Sequence, residues 1–206
     1  MEIIWNTPRG IVNSSGSSWV RPKFEFDKKG ISVQSCQQYA PLAQIELTPS
    51  LEVRVDMADM KVEKRPVTLV TNVGSCIAIC IHDSTNNCGG MAHIMLPTAN
   101  GANNSLPFKY ADTAVPALAE NIKKLGKGKV NLLAKIAGGA NMFSNLRCQL
   151  LNIGEKNAEA VKVALKTYRI PLIAEDVGGS SGRRVAFDVA TGVMRVKTID
   201  GDEKVL

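Results

Sequence analysis

Apolar and polar residues alternate along several short segments after residue 50, and a period of two is typical of β-strands. In segment 76–82 the odd positions carry Ile77, Ile79 and Ile81, whereas the even positions carry small or polar side chains. Because successive side chains of a strand point to opposite faces, one face of this strand is large and aliphatic and the other is small. Two such faces predict a sheet that is covered on both sides. The other predicted strands lie at 52–57, 67–70, 91–96, 130–137, 172–176, 184–189 and 193–198.

Two longer segments have apolar residues three and four positions apart, which is typical of amphipathic α-helices. The first is predicted to begin at a cap, Asp112 or Thr113, with Pro116 in its first turn. The second opens at 152–154. Seven or eight strands and two helices, without an internal repeat, predict an α/β or α+β sandwich.

The first 48 residues differ in composition from the rest of the chain, and they include a Ser/Gly run at 14–18. Low hydrophobic density and small polar residues favour a disordered or loosely packed segment. We therefore predict an N-terminal extension over 1–48 and a folded domain over 49–206. The alternative is a mis-assigned start codon, with translation beginning at Met57 or Met60.

Composition narrows the class of protein. Hydrophobic residues make up 45% and charged residues 21% of the 206 residues, as in ordinary globular proteins. No apolar run approaches the roughly 18–20 residues that cross a bilayer, and the N-terminus lacks the pattern of a secretory signal. We predict a cytoplasmic protein without membrane insertion. Five cysteines, an odd number at irregular spacing, favour reduced thiols over disulfides.

The net charge of +6 raises the question of nucleic-acid binding. The basic residues are scattered, however, and aromatic residues make up only 5% of the chain, so no stacking platform or arginine-rich segment stands out. A mild positive field also suits an acidic protein partner. We therefore predict a protein partner and no nucleic acid.

The densest chemistry lies between residues 67 and 97, which contain three of the five cysteines and both histidines. Cys76 follows Gly74 and Ser75 in a turn, and His93 arrives on the next strand. A neighbouring imidazole lowers a thiol pKa and carries its proton, so this pair has the form of a thiol-nucleophile site. Gly74 lets a backbone N–H approach a developing oxyanion closely. The alternative is structural, because free cysteines are often buried and a lone histidine in an apolar strand is often a core residue.

A zinc site is a second interpretation of the same stretch, because it holds five soft ligands. They are Cys76, Cys80, His82, Cys88 and His93. Structural zinc sites usually take paired ligands from tight turns, whereas Cys76 and Cys80 are spaced along a predicted strand. The pattern favours Cys80 as a core residue, Cys88 as a turn residue and His82 as a surface residue. We therefore predict no metal and no cofactor.

The segment G-G-A-N-M-F at 138–143 is a weaker candidate site. It lacks the spacing of phosphate-binding loops, so a tight turn is the simpler interpretation. Met142 and Phe143 at its tip could form a docking point for a partner.

Six motifs occur in collinear order between about residues 52 and 198. They are G-S-C-I-A-I-C-I-H-D, G-G-M-A-H-I-M-L-P, K-Y-A-D-T-A-V, A-K-I-A-G-G-A-N-M-F, N-I-G-E-K-N and A-E-D-V-G-G. Together they resemble the CheD family of chemoreceptor glutamine deamidases of bacterial and archaeal chemotaxis. The resemblance implies a three-layer sandwich of mixed β-sheet and helices, related to the cytotoxic necrotizing factor deamidases. It also implies hydrolysis of specific glutamine side chains on methyl-accepting chemotaxis receptors, giving glutamate and ammonia.

The resemblance also implies roles for particular residues. Members of the family use a Cys, a His and a Thr; the nucleophile in G-S-C falls on Cys76, and the base in H-x-M-L-P falls on His93. The threonine falls on Thr71, with Thr68 as the alternative, because many members have a longer stretch between Thr and Cys. Backbone N–H groups near Ser75 are expected to hold the oxyanion. Many members also bind the phosphatase CheC, so a non-catalytic regulator acting through CheC is the alternative function.

Overall fold

The computed structural model describes residues 51–101, 106–141 and 152–206. This part of the chain holds ten β-strands and two α-helices. The predicted extension over 1–48 lies outside the described residues, as does the docking point predicted at Met142 and Phe143. Neither of the described helices is long and apolar enough to cross a membrane.

The strands form two five-stranded sheets. The first contains, in spatial order, β1 (Leu51–Arg54), β3 (Val67–Val73), β8 (Arg183–Asp188), β9 (Met194–Thr198) and β10 (Glu203–Val205). The second contains, in spatial order, β2 (Met60–Glu63), β5 (Cys88–Ile94), β4 (Ile77–Asp83), β6 (Leu132–Gly138) and β7 (Leu172–Val177). Each sheet has one parallel pair, β1 with β3 and β6 with β7, and both sheets are therefore mixed.

The helices α1 (Ala111–Gly126) and α2 (Ile153–Thr167) pack on one face of the second sheet, and the first sheet packs on its other face. The central strand β4 shows why the layers form. Its Ile77, Ile79 and Ile81 are buried in the core that the helices share, whereas Ala78 and Cys80 are buried in the core between the sheets. The predicted burial of this strand on both faces and the predicted α+β fold of mixed sheet and helices are confirmed.

The start of α1 differs from the prediction. Tyr110 occupies the N-cap position and its side chain makes no capping hydrogen bond. The Thr113 hydroxyl instead donates to the Pro107 carbonyl at 2.6 Å, and the Asp112 carboxylate accepts from the Ala99 N–H at 3.0 Å. The predicted cap at Asp112 or Thr113 is wrong, because both side chains hold the preceding loop. The earlier start also places Pro116 in the second turn of the helix rather than in the first.

Two strands were not predicted, and the first predicted strand ends early. β2 and β10 have four and three residues, too few to show a period. The strand predicted over 52–57 stops at Arg54, because the chain turns back over residues 55–59. Ala58 in this turn has a φ of 57°, which no strand accommodates. This turn is hydrogen-bonded to the candidate active site.

Candidate active site

Thr71 on β3 and His93 on β5 meet between the two sheets. The Thr71 Oγ1 lies 2.8 Å from the His93 Nδ1 and 2.8 Å from the carbonyl oxygen of Val55. Both side chains are buried, and only 4% of Thr71 and 3% of His93 is exposed. Since their strands belong to different sheets, this contact joins the sheets at one point.

The Val55 carbonyl determines which nitrogen of His93 carries the proton. A carbonyl oxygen can only accept, and the Thr71 hydroxyl has a single hydrogen to donate. Because Thr71 donates that hydrogen to Val55, its Oγ1 accepts the N–H of Nδ1, and the lone pair of Nε2 stays free. Nε2 is buried and has no hydrogen-bond partner among the described residues. His93 can therefore take a proton at Nε2.

Cys76 lies on the same face of the second sheet as His93. His93 is paired with Ala78 across β5 and β4, and the alternation of β4, continued by one residue, places Cys76 on the face of Ala78. Diagonal neighbours on adjacent strands are within reach of long side chains. Cys76 packs at the edge of the core between the sheets and is half-buried. The predicted nucleophile and the predicted base thus share one edge of the space between the sheets.

The bend at 74–76 is held through its three carbonyl oxygens. Two of them accept hydrogen bonds from the backbone N–H groups of Gly139 and Ala140 at 2.8 Å, and the Ser75 carbonyl accepts one from the Asn157 side chain at 3.0 Å. Gly138 has a φ of 123°, and a Cβ at this position would collide with the Cys76 carbonyl oxygen. The close approach of β6 to the bend therefore requires glycine.

The turn over residues 55–59 is bonded to both strands of the site. The Ala58 N–H donates to the His93 carbonyl at 3.1 Å, and the His93 N–H donates to the Asp59 carbonyl at 3.0 Å. The Val55 carbonyl in the same turn accepts the Thr71 hydroxyl. One turn thus holds the backbone of His93 directly and its ring through Thr71.

Burial controls the charge of both reactive groups. Burial raises the pKa of the Cys76 thiol. Burial lowers the pKa of the His93 imidazole, and the negative charge of Asp56 offsets part of that shift. Both shifts favour the neutral form, because desolvation penalises charge. We therefore expect a neutral thiol beside a neutral imidazole before the substrate binds.

The other three residues of the alternative zinc site are not part of the candidate active site. Cys88, predicted in a turn, begins β5 and is buried on the helix side, with its Sγ 3.9 Å from the Ile122 carbonyl oxygen. Cys80 is a core residue, as predicted. His82 lies at the far end of β4 and is half-buried, with its ring 6.4 Å from that of Phe187; the predicted surface position is wrong because the first sheet packs on this side of β4. In the described ranges, no group of three or more His, Cys, Asp or Glu residues could hold a metal ion.

Thr71 is the threonine beside His93, and Thr68 is not. Thr71 shares the inward face of β3 with Leu69 and Val73, which are buried in the core between the sheets. Thr68 lies three positions earlier and therefore on the opposite face of the strand. The parity of the position along β3 thus distinguishes the two candidates.

Asn157 was missed at the sequence level. It is fully buried on α2, and its Nδ2 donates to the carbonyls of Ser75 at 3.0 Å and Met95 at 2.9 Å. It therefore ties the Cys76 bend to the end of β5, two residues beyond His93. A signal was present, because Asn157 falls on the buried stripe of α2 between Gly154 and Val161. An amide on the apolar side of a helix needs buried partners.

Replacing Asn157 with leucine is expected to lower the free energy of unfolding by about 2–3 kcal/mol, because the carbonyls of Ser75 and Met95 lose their donor. Chemical denaturation measures this loss. Asn121→Leu is the matched control, since Asn121 is exposed on α1 and its Nδ2 bonds the Ala117 carbonyl of its own helix. Its expected change is within about 0.5 kcal/mol. Equal stability of Asn157→Leu and the wild type would contradict this role.

Comparison with known proteins gives consistent matches. Residues 95–198 match the family model described as CheD chemotactic sensory transduction. A Desulfitobacterium hafniense protein named "Probable chemoreceptor glutamine deamidase CheD" is 53% identical over 156 residues, which cover 75% of this chain and 98% of the relative. A Clostridium botulinum protein with the same name is 44% identical over 151 residues, which cover 72% of this chain and 93% of the relative. The crystal structure of the Bacillus licheniformis hypothetical protein YfiH aligns with a TM-score of 0.38 and 16% identity, over 59% of this chain and 51% of that chain, which is too weak to bear on function.

Proposed function

The chain belongs to the CheD family, and we propose that it is a cytoplasmic chemoreceptor glutamine deamidase. It hydrolyses the side-chain amide of specific glutamines on methyl-accepting chemotaxis receptors, which converts each of them to a glutamate residue and releases ammonia. The observation that carries this proposal is the buried contact between Thr71 and His93, which leaves Nε2 of His93 free on the face that also holds Cys76.

The proposed reaction begins when Nε2 of His93 takes the proton of the Cys76 thiol and Sγ attacks the Cδ of the glutamine. Thr71 keeps the imidazole in the tautomer that can accept this proton. His93 then donates the proton to the leaving nitrogen, the C–N bond breaks, and ammonia departs from a thioester. His93 next takes a proton from water, which attacks the thioester; the C–S bond breaks, and the proton returns to Sγ.

Backbone N–H groups of Ser75 and Cys76 are proposed to stabilise the oxyanion of both tetrahedral intermediates. The orientation of the bend supports this role, because the carbonyls of 74–76 are engaged by donors from α2 and from the two residues after β6. Gly74, which begins the bend, has no side chain to obstruct a substrate there.

The alternative of a non-catalytic regulator that acts through CheC has less support. Such a protein needs no base beside a thiol, whereas here the hydrogen bond to Val55 selects the tautomer of a buried histidine. Binding of CheC stays a prediction from the family resemblance.

Deamidation is tested by incubating the purified protein with the cytoplasmic fragment of a receptor from the same organism. Peptide mass spectrometry follows the conversion of amide to acid, and a coupled assay follows ammonia. The proposal predicts equal amounts of both products at a small number of glutamines. Failure to convert any glutamine would contradict the deamidase and favour the regulator.

Thr71→Val is expected to lower kcat by about a hundredfold, because the variant keeps the shape of the side chain but has no acceptor for Nδ1–H. Thr71→Ser retains the hydroxyl and is expected to retain most of the activity. Thr68→Val is the matched control on the opposite face of the same strand and is expected to react like the wild type. Initial rates of ammonia release measure all three. Similar losses in Thr71→Val and Thr68→Val would contradict a specific role of Thr71.

A further inference from the structure

A groove adjoins the bend that carries Cys76. It lies where β3 and β9 end and β8 begins, and it has a volume of about 490 Å³. Gly74, two residues before the nucleophile, forms part of its wall, and Arg184, Lys197 and Ile199 form another part. A substrate that brings its glutamine to Cys76 can therefore lie in this groove with its neighbouring residues.

The charged side chains at this groove are cationic. Arg184 and Lys197 are directly opposite each other on β8 and β9, where two like charges repel. None of the described residues that line the groove is acidic. Glu52 lies 2.8 Å from Arg184, and Glu203 lies opposite Lys197 across β9 and β10. Arg183, which also lines the groove, is buried and ion-paired with Asp176 at 3.4 Å.

The ion pair of Arg184 and Glu52 is exchangeable. Their side chains are 46% and 56% exposed, and exposed ion pairs contribute at most about 1 kcal/mol. A carboxylate on the substrate can replace Glu52 at little cost. Arg184 is therefore available to an acidic side chain of the substrate, because its ion pair with Glu52 is weak.

Ile199 gives the groove an apolar side. Its side chain is 78% exposed. Gly182 lies directly beneath it, and a Cβ at that position would be only 3.0 Å from the Ile199 Cδ1. The adjacent carboxylate of Asp200 accepts a hydrogen bond from the Ser181 hydroxyl at 2.6 Å. One apolar contact beside two cations suits an amphipathic, acidic segment.

We propose that this groove binds the residues flanking the target glutamine and selects a segment that carries a carboxylate and an apolar side chain near that glutamine. The inference rests on the proposed function and names the specificity determinants of the same site. Arg184 and Lys197 pair with the acidic side chains, and Ile199 contacts the apolar one. Arg184, Lys197 and Ile199 are proposed to contact residues other than the reacting glutamine. Their replacement is therefore expected to change KM and to leave kcat unchanged.

Charge reversal at Lys197 or Arg184 tests the groove. For Lys197→Glu and Arg184→Glu, KM for the receptor fragment is expected to rise about five- to tenfold at low salt, with kcat within about twofold. The effect is expected to shrink at high salt. Glu52→Gln releases Arg184 and is expected to lower KM. Lys197→Met, which keeps the aliphatic stem, is expected to change KM in the same direction by less than Lys197→Glu.

Two further measurements show whether a change in KM arises at the groove itself. Lys123→Glu makes the same charge change at an exposed position of α1, in the helical layer, and no change in KM is expected. The rate of Cys76 alkylation by iodoacetamide reports the integrity of the bend without a protein substrate, and it is expected to match the wild type in every variant.

The outcomes are distinguishable. An unchanged KM in all groove variants, or an equal rise in Lys123→Glu, would overturn the groove and leave the deamidase intact. Slower alkylation together with a lower kcat would also overturn it, since the residues would then act on the bend. Binding of the fragment is measured separately by fluorescence anisotropy. A wild type that binds the fragment through Lys197 and Arg184 without converting it would contradict the proposed function and support the groove.

Discussion

Replacing Cys76 with alanine is expected to abolish conversion of receptor glutamines, with a loss of kcat of at least about 10⁴-fold. Among the described cysteines, Cys80 and Cys88 are buried and cannot reach a protein substrate, whereas Cys76 is half-buried at the edge of a core. The loss follows because, of the three cysteines that the structure describes, only Cys76 can form the thioester with a protein substrate. The fold is expected to persist, since truncating a side chain at the core edge costs about 1 kcal/mol.

Cys80→Ala is the matched control for this loss. Cys80 lies four residues further along, on the same face of the sheet, and is buried between the sheets. Its replacement removes a thiol from the same surroundings and is expected to leave kcat nearly unchanged. Mass spectrometry of the receptor fragment and circular dichroism of each variant give the comparison. Equal activity losses in the two variants would mean that packing, and not the Cys76 thiol, limits the reaction.

His93→Gln is expected to lower kcat/KM by about 10²- to 10⁴-fold, the usual contribution of a general base. Glutamine can still bond to Thr71 but cannot take the thiol proton at neutral pH. His82→Gln is the control, because His82 is the other histidine of the chain and lies at the far end of β4 from Cys76. That variant is expected to keep the wild-type rate.

The pH dependence of the wild type follows from the same pair. Activity needs neutral His93, and burial lowers the pKa of this imidazole. The rate is therefore expected to rise with pH through a midpoint below the ordinary histidine range and to be complete at neutral pH. This acid limb is expected to be absent from the residual activity of His93→Gln.

Alkylation of Cys76 reports the thiol alone. Burial raises the pKa of Cys76, and only the thiolate reacts. In the free enzyme, alkylation is expected to rise through a midpoint above the ordinary thiol range. A plateau of fast alkylation at neutral pH would instead reveal a preformed thiolate–imidazolium pair and contradict the neutral resting state.

Much of the fold could be predicted from periodicity, because burial imposes a period on each element. The alternation in β4 predicts that its two faces lie in different cores, and Ile77 and Ala78 do so. Short elements and helix starts were less predictable. β10 has no buried residue, and the cap of α1 depends on contacts of Asp112 and Thr113 with the preceding loop.

That Cys76 and His93 lie close along the sheet was predictable, because His93 lies on β5 and Cys76 immediately precedes β4, the neighbouring strand of the same sheet. The contact between Thr71 and His93 joins two sheets, and no local pattern specifies how strands of different sheets align. The stripe of α2 marks Asn157 as a buried amide but does not identify its partner Ser75, which is 82 positions away. Contacts between residues so far apart in the sequence are determined by how the helices and the two sheets pack together.

The most direct test of Cys76 as the nucleophile is capture of the thioester. Wild-type protein is mixed with the receptor fragment, quenched in acid and digested for peptide mass spectrometry. We predict a peptide containing Cys76 joined to the substrate glutamine peptide, with the mass of their sum less ammonia. It should disappear after treatment with hydroxylamine and be absent from Cys76→Ala. An adduct on Cys80 or Cys88, or conversion of the receptor by Cys76→Ala, would contradict Cys76 as the nucleophile.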